Sequence, residues 1–225
     1  MALKEAIKSI PFLGSIASGV VRRLKGDQFD NSKNYWERRY ALGGNSGAGS
    51  YNRLAAFKAE FLNAFVKRHG VRTVIEFGSG DGAQLDLAQY PEYVGVDVSA
   101  TAIEATKRRF AGDEHKVFYL SSDFPKGRVA DLTLSLDVIY HLVEDQAFGP
   151  YMRDLFDASA RFVIVYASDH DEVAAPHVRH RNFTRWVEQN RPDFRLSERV
   201  PNAFPFDEGD PDNTSFADFF VFERK

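Results

Sequence analysis

Apolar positions change period along this chain, from a helical repeat to a strand-like one and back, several times. Leu54, Phe57, Phe61, Leu62, Phe65 and Val66 fall at i, i+3 and i+4 spacing, which predicts an amphipathic helix over residues 54–69. β-branched and aromatic runs predict strands over residues 73–77, 93–98, 116–120, 130–136 and 161–167. A closing hairpin follows at residues 194–200 and 216–223, joined by a long loop carrying Phe204 and Phe206, both plausible substrate contacts. Helices are expected at residues 82–88, at 102–110 with Ser99 or Thr101 as N-cap, and at 183–190 with Asn182 or Thr184 near the cap. Strands alternating with helices predict an α/β fold.

The first 25 residues differ in character. Leu3, Ile7, Ile10, Leu13, Ile16, Val20 and Leu24 lie near helical spacing, broken by Pro11 and Gly14. Two short helices capping the domain are expected, the alternative being a membrane-surface anchor through Lys4, Lys8, Arg22, Arg23 and Lys25. Lys4, Glu5 and Lys8 argue against a signal peptide. Between this segment and the helix, Tyr35-Trp36-Glu37-Arg38-Arg39-Tyr40 runs into the glycine-rich stretch 43–51. Aromatics beside flexible glycines read as a lid or, failing that, a linker.

Composition narrows the function classes. The 225 residues carry 29 Lys and Arg against 32 Asp and Glu, a net charge of -3, so no basic field marks a nucleic-acid substrate. Cysteine is absent. That excludes disulfides, thiolate metal sites and a cysteine nucleophile, and it fits a cytoplasmic protein. No apolar run reaches membrane-span length. Phe is abundant at 20, which suggests aromatic pocket walls.

The chemistry concentrates where the strand 73–77 ends, at Glu76-Phe77-Gly78-Ser79-Gly80-Asp81-Gly82. Alternating glycines permit a sharp turn and close approach of backbone to ligand, and a helix restarting at residue 82 would aim free N–H groups at it. About twenty residues on, Gly95-Val96-Asp97 ends a second strand, where Asp97 can accept hydrogen bonds from ribose hydroxyls. The turn also satisfies a dinucleotide fingerprint, so a nicotinamide oxidoreductase competes. Glu76 opposes it, since a carboxylate suits an ammonium and repels a pyrophosphate. No Tyr-x-x-x-Lys pair occurs either.

Glu76-x-Gly78-x-Gly80-x-Gly82 followed by Gly95-x-Asp97 resembles motifs I and II of class I S-adenosylmethionine-dependent methyltransferases. The resemblance divides the chain into a helical cap and lid, 1–53, and a methyltransferase domain, 54–225. It implies a Rossmann-like, doubly wound seven-stranded sheet of order 3-2-1-4-5-7-6 with the last strand antiparallel, and S-adenosylmethionine as cofactor. Glu76, Gly78, Ser79, Gly80, Asp97, Val98 and Asp137 are the expected cofactor residues. Asp123 is expected at the adenine amino group, with Phe124 over the ring and Tyr35 and Arg39 contributed by the lid. The stretch from Asp137 to Leu142 resembles motif IV, which sets Asp137 and His141 between cofactor and acceptor. His141 is the leading general base, and Asp169 and His170 in the run Ser168-Asp169-His170-Asp171 are its rivals. That run could also hold a divalent ion, but no metal is expected. His177, Arg179, His180 and Arg181 stand where the family binds acceptors. Tyr35-Trp36-Glu37-x-Arg39-Tyr40, Gly43-Gly44-x-Ser46 and Ser215-Phe216-Ala217-Asp218 resemble a bacterial subgroup associated with cell-surface glycan loci, which implies methylation of a hydroxyl on a small molecule, a saccharide included. The other open readings are a non-catalytic cofactor-binding protein and the nicotinamide enzyme.

Overall fold

Among the described residues the first element is a helix, α1 (Ser32–Ala41), whose N-cap Asn31 accepts from the Asn34 amide. The structure, a computed structural model, describes residues 29–225, so the helices and membrane contact expected over residues 1–25 lie outside the described residues. A short turn, Ala48–Ser50, leads into α2 (Asn52–His69), which ends at Gly70 in the left-handed conformation with φ 60°. Then come β1 (Thr73–Phe77), β2 (Glu92–Asp97), α3 (Ala100–Arg109), β3 (Lys116–Leu120) and β4 (Ala130–Leu136). The chain continues through α4 (Asp145–Asp157) and β5 (Ser159–Ala167) to a small hairpin of β6 (Glu172–Ala175) and β7 (Val178–His180). It finishes with α5 (Phe183–Asn190), β8 (Phe194–Val200) and β9 (Asp218–Arg224).

The large sheet has the order β3-β2-β1-β4-β5-β9-β8. The first four pairings are parallel, and β9 enters antiparallel between β5 and β8. Counting strands of this sheet alone, that is the expected 3-2-1-4-5-7-6. β6 and β7 form a separate two-stranded sheet that strand propensity did not reveal. They are only four and three residues long, and β6 is largely exposed, so they lack the apolar alternation by which a strand is read.

Strand residues alternate between two cores, as a pleated sheet buried on both faces requires. Ile75, Phe77, Val163 and Val165 pack with Met152, Leu155 and Phe156 of α4 and Phe183 of α5. Val74, Leu132, Leu134 and Ile164 pack with Leu62 and Phe65 of α2 and Ile103 of α3. No helix among the described residues is long and apolar enough to cross a membrane.

One expected helix is missing. Residues 82–88 hold only a short 3-10 turn, Gln84–Leu87. Asp81 accepts from the Ala83 amide, and Ala88 turns extended ahead of Pro91, so no helix dipole forms behind the glycine turn.

Leu134 sits at the centre of the sheet with no exposed surface. Leu134→Ala is expected to lower the free energy of unfolding by about 2–5 kcal/mol, measured by urea denaturation. A loss below about 1 kcal/mol would mean this face is loosely packed.

Candidate active site

The turn after β1 is shaped by its backbone. Gly78 (φ 81°) and Gly80 (φ 56°) are left-handed, a conformation that side chains disfavour. A Cβ on Gly78 would lie 2.4 Å from Val138 Cγ2, and one on Gly80 would lie 2.3 Å from Ser46 Oγ. The amides of Gly78 and Ser79 both donate to the Val96 carbonyl (2.7 and 3.1 Å), which ties the turn to β2. Asp97 accepts from the Gly80 amide and the Ser99 amide, each at 2.9 Å. Ser99 is the N-cap of α3.

Above this turn lies a cavity of about 280 Å³ at the carboxyl edge of the sheet. Its wall includes Glu76, Gly78, Ser79, Gly80, Asp97, Val98, Phe124, Asp137 and His141 of the expected residues. Ser79 contributes backbone, because its hydroxyl is buried over Gly95 without a hydrogen-bond partner. Tyr35, Arg39, Asp123, Asp169 and His170 are not part of the wall. Tyr35 is 4% exposed and stacks on His177 at 4.8 Å, facing the β6–β7 turn. The Arg39 Nε donates to the Asn45 carbonyl (2.7 Å), bracing its own loop. Asp123 is exposed and accepts from Ser122 Oγ. Asp169 accepts from both the amide and hydroxyl of Thr184 (3.0 and 2.7 Å), and Asp171 from the Asn182 amide (3.1 Å). Both acids therefore cap α5. Phe204 packs on Phe57, Phe206 is half exposed beside Phe216, and neither reaches the cavity.

Glu76, Asp97 and Lys58 are the buried charged groups of the cavity wall. Glu76 is 5% exposed and accepts from the Tyr93 hydroxyl at 2.7 Å. Burial outweighs that bond and pushes its pKa up to about 7. Lys58 of α2 is 1% exposed, and its Nζ lies 2.5 Å from Asp137 Oδ2. Asp137 holds a left-handed backbone (φ 60°) and also accepts from the Tyr140 hydroxyl at 2.9 Å. The sequence reading missed Lys58 by assigning its helix to scaffold. A signal was there: Lys58 sits four residues from both Leu54 and Leu62, on the apolar stripe.

His141 follows β4 in a short turn, Ile139–His141. Its Nδ1 lies 3.0 Å from the His177 carbonyl, which can only accept, so Nδ1 carries the proton and Nε2 holds the lone pair. Desolvation lowers its pKa to about 4. Trp36 of α1 packs against the ring at 4.9 Å. Arg179 and Arg181, expected at an acceptor, instead hold this loop: both donate to the Val143 carbonyl, and Arg181 also to that of Leu142.

Helix α1 and the loop after it form the cavity's roof, and three attachments hold it. Ser32 bonds the Glu144 carboxylate and the His141 carbonyl. Glu37 accepts from the hydroxyls of Ser99 and Thr101 at the start of α3. Asp81 accepts from the Ser46 amide and the Tyr51 hydroxyl. Trp36, Tyr40 and Ser46 thereby line the cavity.

Two variants probe these charges. Glu76 ordinarily ionises near 4.5 and here near 7. The folded chain thus holds a proton the unfolded chain releases, and stability falls as pH rises through that window. Glu76→Gln should raise unfolding free energy by roughly 3 kcal/mol at pH 8, with the gain gone by pH 4, in paired denaturation curves. Asp137→Ala leaves the Lys58 ammonium buried and alone, and should cost about 3 kcal/mol. Adding Lys58→Met to Asp137→Ala should recover most of it. A double variant as unstable as the single one would show that the ion pair is not the cause.

No protein-family model matches the sequence, and no curated protein matches it. Solved structures do. The N-methyltransferase NodS from Bradyrhizobium japonicum WM9, in complex with S-adenosyl-L-homocysteine, is 18% identical with a TM-score of 0.65, over 87% of this chain and 99% of that one. Magnesium protoporphyrin IX methyltransferase from Synechocystis PCC 6803, with bound S-adenosylmethionine, is 15% identical with a TM-score of 0.59, over 100% of this chain and 96% of that one. The methyltransferase domain of bacterial CtHen1 is 19% identical with a TM-score of 0.58, over 74% of this chain and 96% of that one. Likeness at such identities speaks for architecture, and the strand order and glycine turn agree with it. The chain has the fold of the class I S-adenosylmethionine-dependent methyltransferases.

Proposed function

We propose that this protein is an S-adenosylmethionine-dependent methyltransferase that methylates a hydroxyl of a small molecule, saccharides being the first acceptors to test. The observation that carries this reading is Glu76, a buried carboxylate beside the left-handed Gly78 and Gly80, with a pKa near 7 and no cation in contact. Such a group fits an aminoacyl ammonium, which would supply the missing charge, and disfavours a dinucleotide pyrophosphate.

The residues divide the work along the cavity. Glu76 binds the ammonium, and the amides of the Gly78–Gly80 turn approach the ligand closely. Asp97 takes the ribose hydroxyls while its own carboxylate is held by the Gly80 and Ser99 amides. Phe124 and Val98 are suited to the adenine ring. The cofactor's sulfonium supplies an activated methyl group. The protein then has to align the acceptor and take one proton. His141 Nε2 is the proton acceptor, because the His177 carbonyl keeps the other ring nitrogen protonated. Trp36 forms an apolar wall that excludes water beside it. A base with a pKa of about 4 is neutral throughout the physiological range. Its effect belongs at the lower end of general-base assistance, about 10²-fold. The rate limb that its titration produces should fall at about pH 4.

Calorimetry tests the cofactor. S-adenosylmethionine and S-adenosylhomocysteine should bind and NAD should not. Affinity should rise with pH up to about 7 and level off above it, because ammonium binding selects the ionised Glu76. Asp97→Ala should weaken binding by about 1.5–3 kcal/mol at unchanged fold. Turnover with labelled donor and a panel of hydroxyl acceptors tests the reaction. His141→Ala should lower the rate at saturating donor about 100-fold while donor affinity stays within a few-fold. Binding of NAD, or a His141 variant with full turnover, would sink the respective assignment.

A further inference from the structure

The β6–β7 hairpin brings together three side chains that the cavity does not use. His170 lies just before β6, Glu172 begins it, and His180 ends β7 on the opposite strand, paired in register with Glu172. One potential ligand atom from each lies within 4.8 Å of the others. The His170 and His180 rings face each other at 4.7 Å, 26° from parallel, and His170 Nε2 is 3.2 Å from Glu172 Oε2.

We infer that His170, Glu172 and His180 form a binding site for a divalent transition-metal ion of the zinc class. Two imidazoles and one carboxylate suit zinc, cobalt(II) and nickel(II), and suit calcium or magnesium poorly. This ligand set is not the Ser168-to-Asp171 run weighed from sequence, since Asp169 and Asp171 are occupied at the start of α5.

Two features support the assignment. First, His180 is 4% exposed, and its Nδ1 is held by Ser168 Oγ at 2.5 Å, which leaves Nε2 as the nitrogen for an ion. Ligating histidines are oriented in this way by a hydrogen bond to the ring nitrogen that does not bind. Second, the remaining distance closes easily. Ligands about 2.1 Å from a tetrahedral ion stand roughly 3.4 Å apart. His170 and Glu172 are exposed and need only rotate towards His180.

An ion here would join the two strands at their open end. The turn between those strands carries His177, whose carbonyl holds His141 Nδ1 and whose ring stacks on Tyr35. Binding therefore braces the wall behind His141 and the roof at once, through the hairpin. The site itself stands independently of the methyltransferase reading.

The test uses tag-free full-length protein, metal-stripped, titrated with cobalt(II) and with zinc. Cobalt(II) should bind one ion per chain and develop ligand-field absorption of a low-coordinate nitrogen and oxygen site, and zinc should displace it and raise the melting temperature. His170→Ala and Glu172→Ala, both at exposed positions, should each weaken zinc at least tenfold with the fold unchanged by circular dichroism. Ser168→Ala should weaken it about 10- to 100-fold through loss of the orienting bond. His115→Ala serves as the control, because His115 and Glu92 form an exposed pair elsewhere (2.8 Å), and should leave affinity unchanged. The inference is overturned if no one-to-one complex forms, if His170→Ala and Glu172→Ala bind as the parent does, or if His115→Ala abolishes binding.

Discussion

A carboxylate buried without a cation is costly, and Glu76 is the point on which the arrangement of this molecule turns. It sits on a central strand, next to a turn that only glycine can make, under a roof tied down at three places. Its single hydrogen bond from Tyr93 does not offset desolvation, so its pKa stands near 7. Removing the charge should stabilise the fold and weaken ligand binding together. Stability is thus held below its maximum at the position where the proposed function puts a ligand's ammonium.

The other buried charge is handled in the opposite way. Lys58 and Asp137 satisfy one another at 2.5 Å, with Tyr140 on the second carboxylate oxygen. Asp137 therefore lines the cavity already neutralised, and in this structure it is a wall and an anchor for α2. The same network fixes the left-handed turn from which His141 emerges. The cavity wall accordingly holds a paired acid, Asp137, beside two buried acids, Glu76 and Asp97, that form no ion pair among the described residues.

Acidic side chains account for much of the roof. Glu37, Asp81 and Glu144 each accept from hydroxyls or amides across the cavity rim. These bonds join residues distant in sequence, and they are half-exposed, so each is individually weak. Aromatic packing of Tyr35 on His177 and of Trp36 on His141 adds to these bonds.

Much of the sheet was legible in the chain itself. β3, β4 and α5 fall at the predicted residues, and β1 ends where the glycines begin, because strands buried on both faces are continuous apolar runs bounded by breakers. The glycine turn and the placement of Glu76, Asp97 and His141 at or just beyond strand ends were legible for a similar reason: each position is set by the strand it follows or closes. The long-range partners were not. Lys58 meets Asp137 across 79 residues, and His177 meets His141 across 36, so no spacing encodes them. Asp169 and Asp171 carry the residue types of a catalytic cluster, yet local geometry turned both to capping α5. Sequence alone determined which segments are strands, where the chain must turn and which residues can bear charge. Tertiary structure alone decided which charges are paired, because pairing depends on distances between elements that meet only when both faces of the sheet are covered.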